Sequence, residues 1–149
     1  MSAARRVGVG IIGTGNISAA YLKAMPGFDT LEVIGIADMK PEVAEARARE
    51  FGVPAMGVDA LLADPRVEIV LNLTIPRAHI EVVLRALDAG KHVYAEKPLG
   101  IDFAEGKKLI AAAAGKGLRV GSAPDTFLGG GNQQSRAVVD SGALGQVVG

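Results

Sequence analysis

The chain has 149 residues, a size that suits one domain, with 16 basic and 16 acidic residues and a formal charge of zero. No basic block marks a nucleic-acid or anionic-membrane partner, and no run of about 18 apolar residues marks a transmembrane helix. The lack of cysteine excludes disulfides and thiolate chemistry and suits the cytoplasm, while 49% apolar against 4% aromatic residues calls for a core of Val, Ile, Leu and Ala, as in parallel sheets.

The opening Met-Ser-Ala-Ala-Arg-Arg leads straight to a strand and does not read as a signal peptide. Residues 7–12 form that buried strand, which runs into Gly13-Thr14-Gly15-Asn16-Ile17-Ser18, a G-x-G-x-x-G pattern with serine in the last place. A tight strand-to-helix turn needs the positive φ that Gly13 can take. Gly15 has no Cβ, so a pyrophosphate can come up to the backbone. The amides of Gly15, Asn16 and Ile17 would then face that anion at a helix N-terminus, where donors are unpaired and the dipole favours negative charge. Serine departs from the third glycine, whose place is small so that helix and strand pack closely. The helix should cover 16–25, with Ile17, Ala20, Tyr21 and Ala24 at helical spacing and Pro26-Gly27 stopping it. A second strand, 31–37, ends at Asp38, about 20 residues past the turn, where a carboxylate accepts both hydroxyls of a dinucleotide ribose.

Pro41 opens a helix whose Val43, Ala44, Ala48 and Phe51 line one face; Glu45 and Arg49 pair at i, i+4 on the other, and Gly52 and Pro54 end it. A short strand is expected near 53–56 and a single helical turn at 59–63, closed by Asp64-Pro65. Residues 67–73 are almost all apolar, as in a central parallel strand covered on both faces, with Asn72, Thr74, Ile75 and Pro76 at its carboxyl end. The next helix, 77–89, carries Ile80, Val83, Leu84 and Leu87 on one stripe, with Gly90 as its stop. Strand 92–95 leads to Glu96-Lys97-Pro98-Leu99-Gly100. Asp102 and Glu105 make an N-cap and capping box for a helix to Ala114, with Gly115 beyond. A last short strand is expected at 118–121. Gly129-Gly130-Gly131 separates it from an amphipathic segment, 132–140, broken by Ser141-Gly142, and 144–149 looks like the start of one more strand. Alternation of strand and helix at every step predicts an α/β fold with right-handed crossovers and a mostly parallel sheet. The apolar run at 146–149 reads as the interior of a longer protein.

Ligands of open α/β sheets bind at the carboxyl ends of strands, which singles out Asp38, 74–79, Glu96-Lys97-Pro98 and 122–125. Lys97 carries the most chemistry. An ammonium beside a hydride-transfer centre stabilises a developing alkoxide or gives it a proton. Service as an acid near neutral pH would require burial against an apolar wall or another cation. Pro98 holds Lys97 in extended backbone and permits a cis bond. The competing reading of Lys97 is a solvated side chain at the end of an edge strand. His79, in the first turn of its helix, lies near a nicotinamide ribose or is a surface or capping histidine. Asp125 and Thr126 touch substrate or cap the glycine loop. No second His or carboxylate stands at ligand spacing and His92 lies along a strand, so no metal site is expected. Lys40 could meet a 2′-phosphate that Asp38 would repel, which favours NAD over NADP.

Gly13-Thr14-Gly15-Asn16-Ile17, Ala37-Asp38, Leu73-Thr74-Ile75-Pro76 with His79, and Ala89-Gly90-Lys91-His92-Val93 leading to Glu96-Lys97-Pro98-Leu99 together resemble the glucose–fructose oxidoreductase / inositol dehydrogenase / rhizopine catabolism (Gfo/Idh/MocA) family. The resemblance covers essentially the whole chain, and Gly121-Ser-Ala-Pro-Asp-Thr-Phe-Leu-Gly resembles one subgroup. It implies a doubly wound Rossmann domain, here 1–122, with 123–149 a linking helix and the start of a C-terminal α/β domain. That second domain would hold much of the substrate site and drive assembly into a homo-oligomer. The resemblance further implies oxidation or reduction of sugars, cyclitols or related polyols with NAD or NADP. Lys97 would be the catalytic lysine, joined by an aspartate and a histidine from the second domain. The cofactor set expected is Gly13, Thr14, Gly15, Asn16, Ile17, Asp38, Leu73, Thr74, Pro76, His79, Glu96 and Lys97. By itself the chain should bind dinucleotide and turn over little or nothing. The alternatives are an NAD-dependent glycosidase of the same family, a non-catalytic dinucleotide sensor and a Rossmann-like methyltransferase.

Overall fold

A computed structural model describes residues 5–124, 126–146 and 148. Its five strands, β1 (Val7–Ile12), β2 (Leu31–Ala37), β3 (Ile69–Asn72), β4 (His92–Ala95) and β5 (Val120–Ser122), form one all-parallel sheet in the order β2-β1-β3-β4-β5. Parallel pairing demands crossovers, and the described residues include the α-helices α1 (Asn16–Ala24), α2 (Pro41–Phe51), α3 (Val58–Ala63), α4 (Pro76–Asp88) and α5 (Phe103–Gly115) between strands, with α6 (Gly130–Asp140) after β5. The chain leaves β1 to lay β2 on one side and returns to lay β3 on the other. The carboxyl end of β1 is therefore the switch point of a doubly wound Rossmann sheet, and the glycine turn sits there.

Both faces of the sheet are packed. On one, Ile12, Val70, Val93 and Ala95 join Leu61 of α3, Val83 and Leu87 of α4 and Leu109 of α5. On the other, Val9, Ile11, Ile36 and Leu71 join Leu22 of α1 and Ala48 of α2. Burying each such large aliphatic side chain is worth about 1.5–3 kcal/mol.

Several elements differ from the sequence expectation, each for a local reason. The strand near 53–56 is reduced to one parallel bridge between Ile36 and Ala55, with the Ile36 amide donating to the Pro54 carbonyl and the Met56 amide to the Ile36 carbonyl, both at 2.9 Å. Pro54 has no N–H, so a longer ladder cannot form. β3 is shorter than 67–73 because the Val67 amide is taken by the Asp64 carbonyl (3.1 Å) in the preceding turn. α1 ends one residue early in a tight turn over Met25–Gly27 and buries Ser18 and Leu22, leaving Ile17 exposed. In α2, Ala44 and Ala48 are buried but Val43 is exposed. α4 buries His79, Val82, Val83, Ala86 and Leu87, while Leu84 is exposed. Its inner face is broader than one stripe because it packs on both the sheet and α5.

The Asp102 cap is present, its carboxylate accepting the Glu105 amide at 2.8 Å, but Glu105 reaches back to the amide of Ile101 (3.0 Å) rather than to that of Asp102. β5 begins at Val120, two residues later than expected, because the Leu118 amide closes the end of α5 on the Ala113 carbonyl (2.9 Å). α6 absorbs Gly130 and Gly131 and follows a short turn at Thr126–Leu128. Residues 144–146 are turn rather than strand, and 147 and 149 lie outside the described residues.

Candidate functional site

Gly13 ends β1 with φ of 99° and donates its amide to the Ala37 carbonyl at 2.9 Å. A Cβ there would lie 2.6 Å from the carbonyl carbon of Leu73, so glycine is required by both conformation and space. Leu73 thus meets the turn through its backbone, while its side chain is buried in the core. Thr14 is buried as well, and both its amide (2.8 Å) and its hydroxyl (3.0 Å) donate to Oδ2 of Asp38. Oδ1 of Asp38 accepts the Lys40 amide at 3.0 Å. Burial pushes the Asp38 carboxyl up, but the amides of Thr14, Lys40 and Met39 and the Thr14 hydroxyl outweigh it and hold the group below its ordinary 3.8. The carboxylate is therefore anionic at neutral pH. The protein already uses most of its roughly four lone-pair positions, so few remain for two ribose hydroxyls.

Gly15 caps α1, and a Cβ on it would meet nothing within 4 Å, which leaves its outer side open to a ligand. Asn16 and Ile17 are exposed, and as first-turn residues their amides have no partner within the helix. This donor set, together with the open approach at Gly15, fits a diphosphate. Ser18 explains its own departure from the glycine pattern: it is 0% exposed and its hydroxyl donates to the Gly15 carbonyl at 2.6 Å, adding a tie that glycine lacks. Arg47 of α2 reaches the same carbonyl at 3.4 Å, pairs with Glu50 at 2.7 Å and lies over the Phe51 ring. Arg47 could not be picked out from the sequence, since nothing in a helical pattern says which residue of α2 faces the turn. A cleft of about 180 Å³ beside Asp38 is bounded by Pro41, Ala44 and Glu45 and by Ala55, Met56 and Gly57.

The carboxyl ends of β3 and β4 form the other half of the rim. Asn72 is fully buried; its Nδ2 donates to the His79 carbonyl (3.1 Å), and its Oδ1 accepts the amide (3.1 Å) and hydroxyl (2.6 Å) of Thr74. His79 is 0% exposed, with Nδ1 2.6 Å from the Pro98 carbonyl and Nε2 2.9 Å from the Thr74 carbonyl. The surface reading of His79 is therefore wrong: the ring is buried, and each of its nitrogens faces a main-chain carbonyl. Its neighbours explain this: α4 packs its first turn onto the β3 end, and the imidazole bridges two loops. Pro76 is exposed at the first position of α4.

Glu96 accepts the Tyr21 hydroxyl on Oε1 (2.8 Å) and the Lys97 amide on Oε2 (3.2 Å). The Lys97–Pro98 bond is cis. β4 is an inner strand, so the edge-strand reading of Lys97 fails, yet the side chain is exposed. Asp125 lies outside the described residues. The Thr126 carbonyl accepts from the Gly129 amide (3.0 Å) and Asn132 Nδ2 (2.7 Å), which makes Thr126 part of the entry to α6. His92 Nδ1 faces the Arg119 amide at 3.0 Å, and Lys40 is exposed beyond Asp38. Among the described residues there is no group of three or more metal-ligating side chains, and no helix is long and apolar enough to cross a membrane.

Residues 7–123 match the model of an oxidoreductase family with an NAD-binding Rossmann fold. The chain belongs to the Gfo/Idh/MocA family. It is 33% identical over 118 residues to inositol 2-dehydrogenase/D-chiro-inositol 3-dehydrogenase of Lacticaseibacillus casei, covering 76% of this chain and 34% of that protein. It is 34% identical over 151 residues to dTDP-3,4-didehydro-2,6-dideoxy-alpha-D-glucose 3-reductase of Actinomadura kijaniata, covering 97% and 44%. Among solved structures, KijD10, a 3-ketoreductase from Actinomadura kijaniata in complex with NADP and TDP-benzene, superposes with a TM-score of 0.85 at 33% identity, over 93% of this chain and 43% of that one. The Gfo/Idh/MocA chain described here thus spans well under half the length of these relatives, and the glycine turn and Asp38 belong to its NAD(P)-binding Rossmann domain.

Proposed function

We propose that the chain is the dinucleotide-binding part of an NAD(P)-dependent dehydrogenase or reductase acting on a sugar, cyclitol or related polyol. One observation carries this: β1, β3 and β4 are neighbours in a parallel sheet, so the glycine turn, the Thr74 loop and Lys97 open on the same rim. The amides of Asn16 and Ile17 hold the diphosphate, with Gly15 giving it room. Asp38 takes a hydroxyl of the adenosine ribose and, as an anion, repels a 2′-phosphate, which favours NAD over NADP. The β3 and β4 ends, with Thr74 and Glu96, flank the nicotinamide side. A nicotinamide cofactor held there would supply hydride-transfer chemistry for a carbinol carbon of the substrate. The ammonium of Lys97, exposed at that rim, stabilises the substrate oxygen as negative charge develops, and exchanges the hydroxyl proton with it.

Titration of the polypeptide with NAD, NADP and S-adenosylmethionine tests the reading. NAD binds most tightly, NADP more weakly, and S-adenosylmethionine does not compete. Absence of dinucleotide binding, or preference for S-adenosylmethionine, overturns it. With the product of the complete gene, reduced cofactor formed in proportion to oxidised polyol separates a dehydrogenase from a glycosidase that only borrows the cofactor and from a sensor that turns nothing over.

A further inference from the structure

We propose that Tyr21 and His79 are positioning residues that bracket Lys97 and tie its placement to occupancy of the nicotinamide side of the site; this rests on the reading of Lys97 given above. The Lys97 side chain is exposed, so its aim is set by its backbone. That backbone is held from both sides. Upstream, the Lys97 amide donates to Glu96 Oε2, and Tyr21 holds the other oxygen of the same carboxylate at 2.8 Å. Downstream, the carbonyl of Pro98 lies 2.6 Å from Nδ1 of the fully buried His79, whose Nε2 lies 2.9 Å from the Thr74 carbonyl.

The two clamps come from elements with a separate task at the rim. Tyr21 lies on α1, the helix whose N-terminus forms the diphosphate cradle. His79 lies on α4 and is bonded to the Thr74 loop at the end of β3. A ligand that seats α1 and orders the Thr74 loop therefore fixes both flanks of Lys97. Glu96 thus links the two, with one carboxylate oxygen on the Tyr21 phenol at 2.8 Å and the other on the Lys97 amide at 3.2 Å, both bonds to an ionised acceptor. A histidine that merely fills a core would be satisfied by any two polar partners. Here both partners are main-chain carbonyls of the two loops that border the nicotinamide side.

The test uses Tyr21→Phe and His79→Asn in the full chain, with two ligands and one chemical probe. NADH spans both halves of the site, whereas ADP occupies only the adenosine and diphosphate half. Affinity for each is measured by fluorescence and calorimetry. The rate of acylation of the Lys97 amine is read by mass spectrometry with and without NADH, using exposed Lys23 and Lys108 as internal references. In the wild type, NADH slows Lys97 acylation. In each variant NADH affinity falls about tenfold, the size of one hydrogen bond to a charged group, ADP affinity is unchanged, and NADH no longer slows the acylation. Equal losses for NADH and ADP, or no change for either, overturn the proposal, since a purely structural role moves both ligands together. Tyr21→Phe keeps the ring packing and carries the test if His79→Asn does not fold. A wild type that binds neither ligand overturns the reading of the cleft itself; a wild type that binds both, with NADH unaffected by Tyr21→Phe, overturns only the bracket.

Discussion

Thr14 gives both its amide and its hydroxyl to a single oxygen of Asp38, at 2.8 and 3.0 Å, across 24 residues of chain. The contact fastens the glycine turn after β1 to the end of β2. It makes Asp38 part of the scaffold as well as a candidate for the ribose.

Asp38→Asn should therefore lower stability at pH 7 by about 1–2 kcal/mol, at the low end for charge-assisted bonds because the group is partly exposed. The folded carboxyl sits below its ordinary 3.8, so its contribution is complete above that value and is lost as pH falls through the folded value. Denaturant melts of wild type and variant should differ at pH 7 and converge as pH falls below 3.8. A constant gap across that range rules out the charge as the cause. The same variant should bind NADP better relative to NAD than the wild type does.

Gly13→Ala should abolish dinucleotide binding and destabilise the fold. The positive φ strains any residue with a Cβ, and the added carbon would meet the Leu73 backbone at 2.6 Å, which has no flexible side chain to yield. Calorimetric titration with NAD, alongside a thermal melt, reads both effects. Retention of wild-type affinity would show that the turn relaxes.

Ser18→Gly restores the full glycine pattern, yet it should destabilise the chain by about 1–2 kcal/mol. It removes the hydroxyl tie to Gly15 and adds backbone freedom inside α1. Ser18→Val should cost more, because the site is fully buried and the larger side chain must be forced between α1 and its neighbours. A melt of the three proteins orders them as wild type, Ser18→Gly, Ser18→Val; a more stable glycine variant would contradict the assignment.

Lys97→Met, in the product of the complete gene, should reduce kcat by at least about a hundredfold, the scale of a lost general acid or oxyanion partner. NAD affinity should change little, because the exposed ammonium is not part of the diphosphate cradle. Steady-state kinetics with a polyol panel and NAD titration of the same variant make the comparison. Unchanged turnover would remove Lys97 from the chemistry.

The order of strands and helices, the glycine turn, the Asp102 cap and the carboxyl-end position of Asp38 and Lys97 were all legible from the sequence. They depend on local propensities: periodicity, glycine and proline placement, and the short spacings of the turn. Contacts between residues far apart were not. That Asp38 grips Thr14, that Tyr21 holds Glu96, that Arg47 reaches Gly15 and that His79 is buried between Thr74 and Pro98 depend on which strands become neighbours and how each helix is rotated on the sheet. Helical spacing fixes that residues share a face but not which way the face turns, so α1 buries Ser18 and Leu22, and α4 takes His79 inward while Leu84 stays in water. Sequence alone determined the chemistry brought to the rim. Packing of α1 and α4 against the sheet decided which of those groups stay open to solvent at the rim and which are bonded into the scaffold.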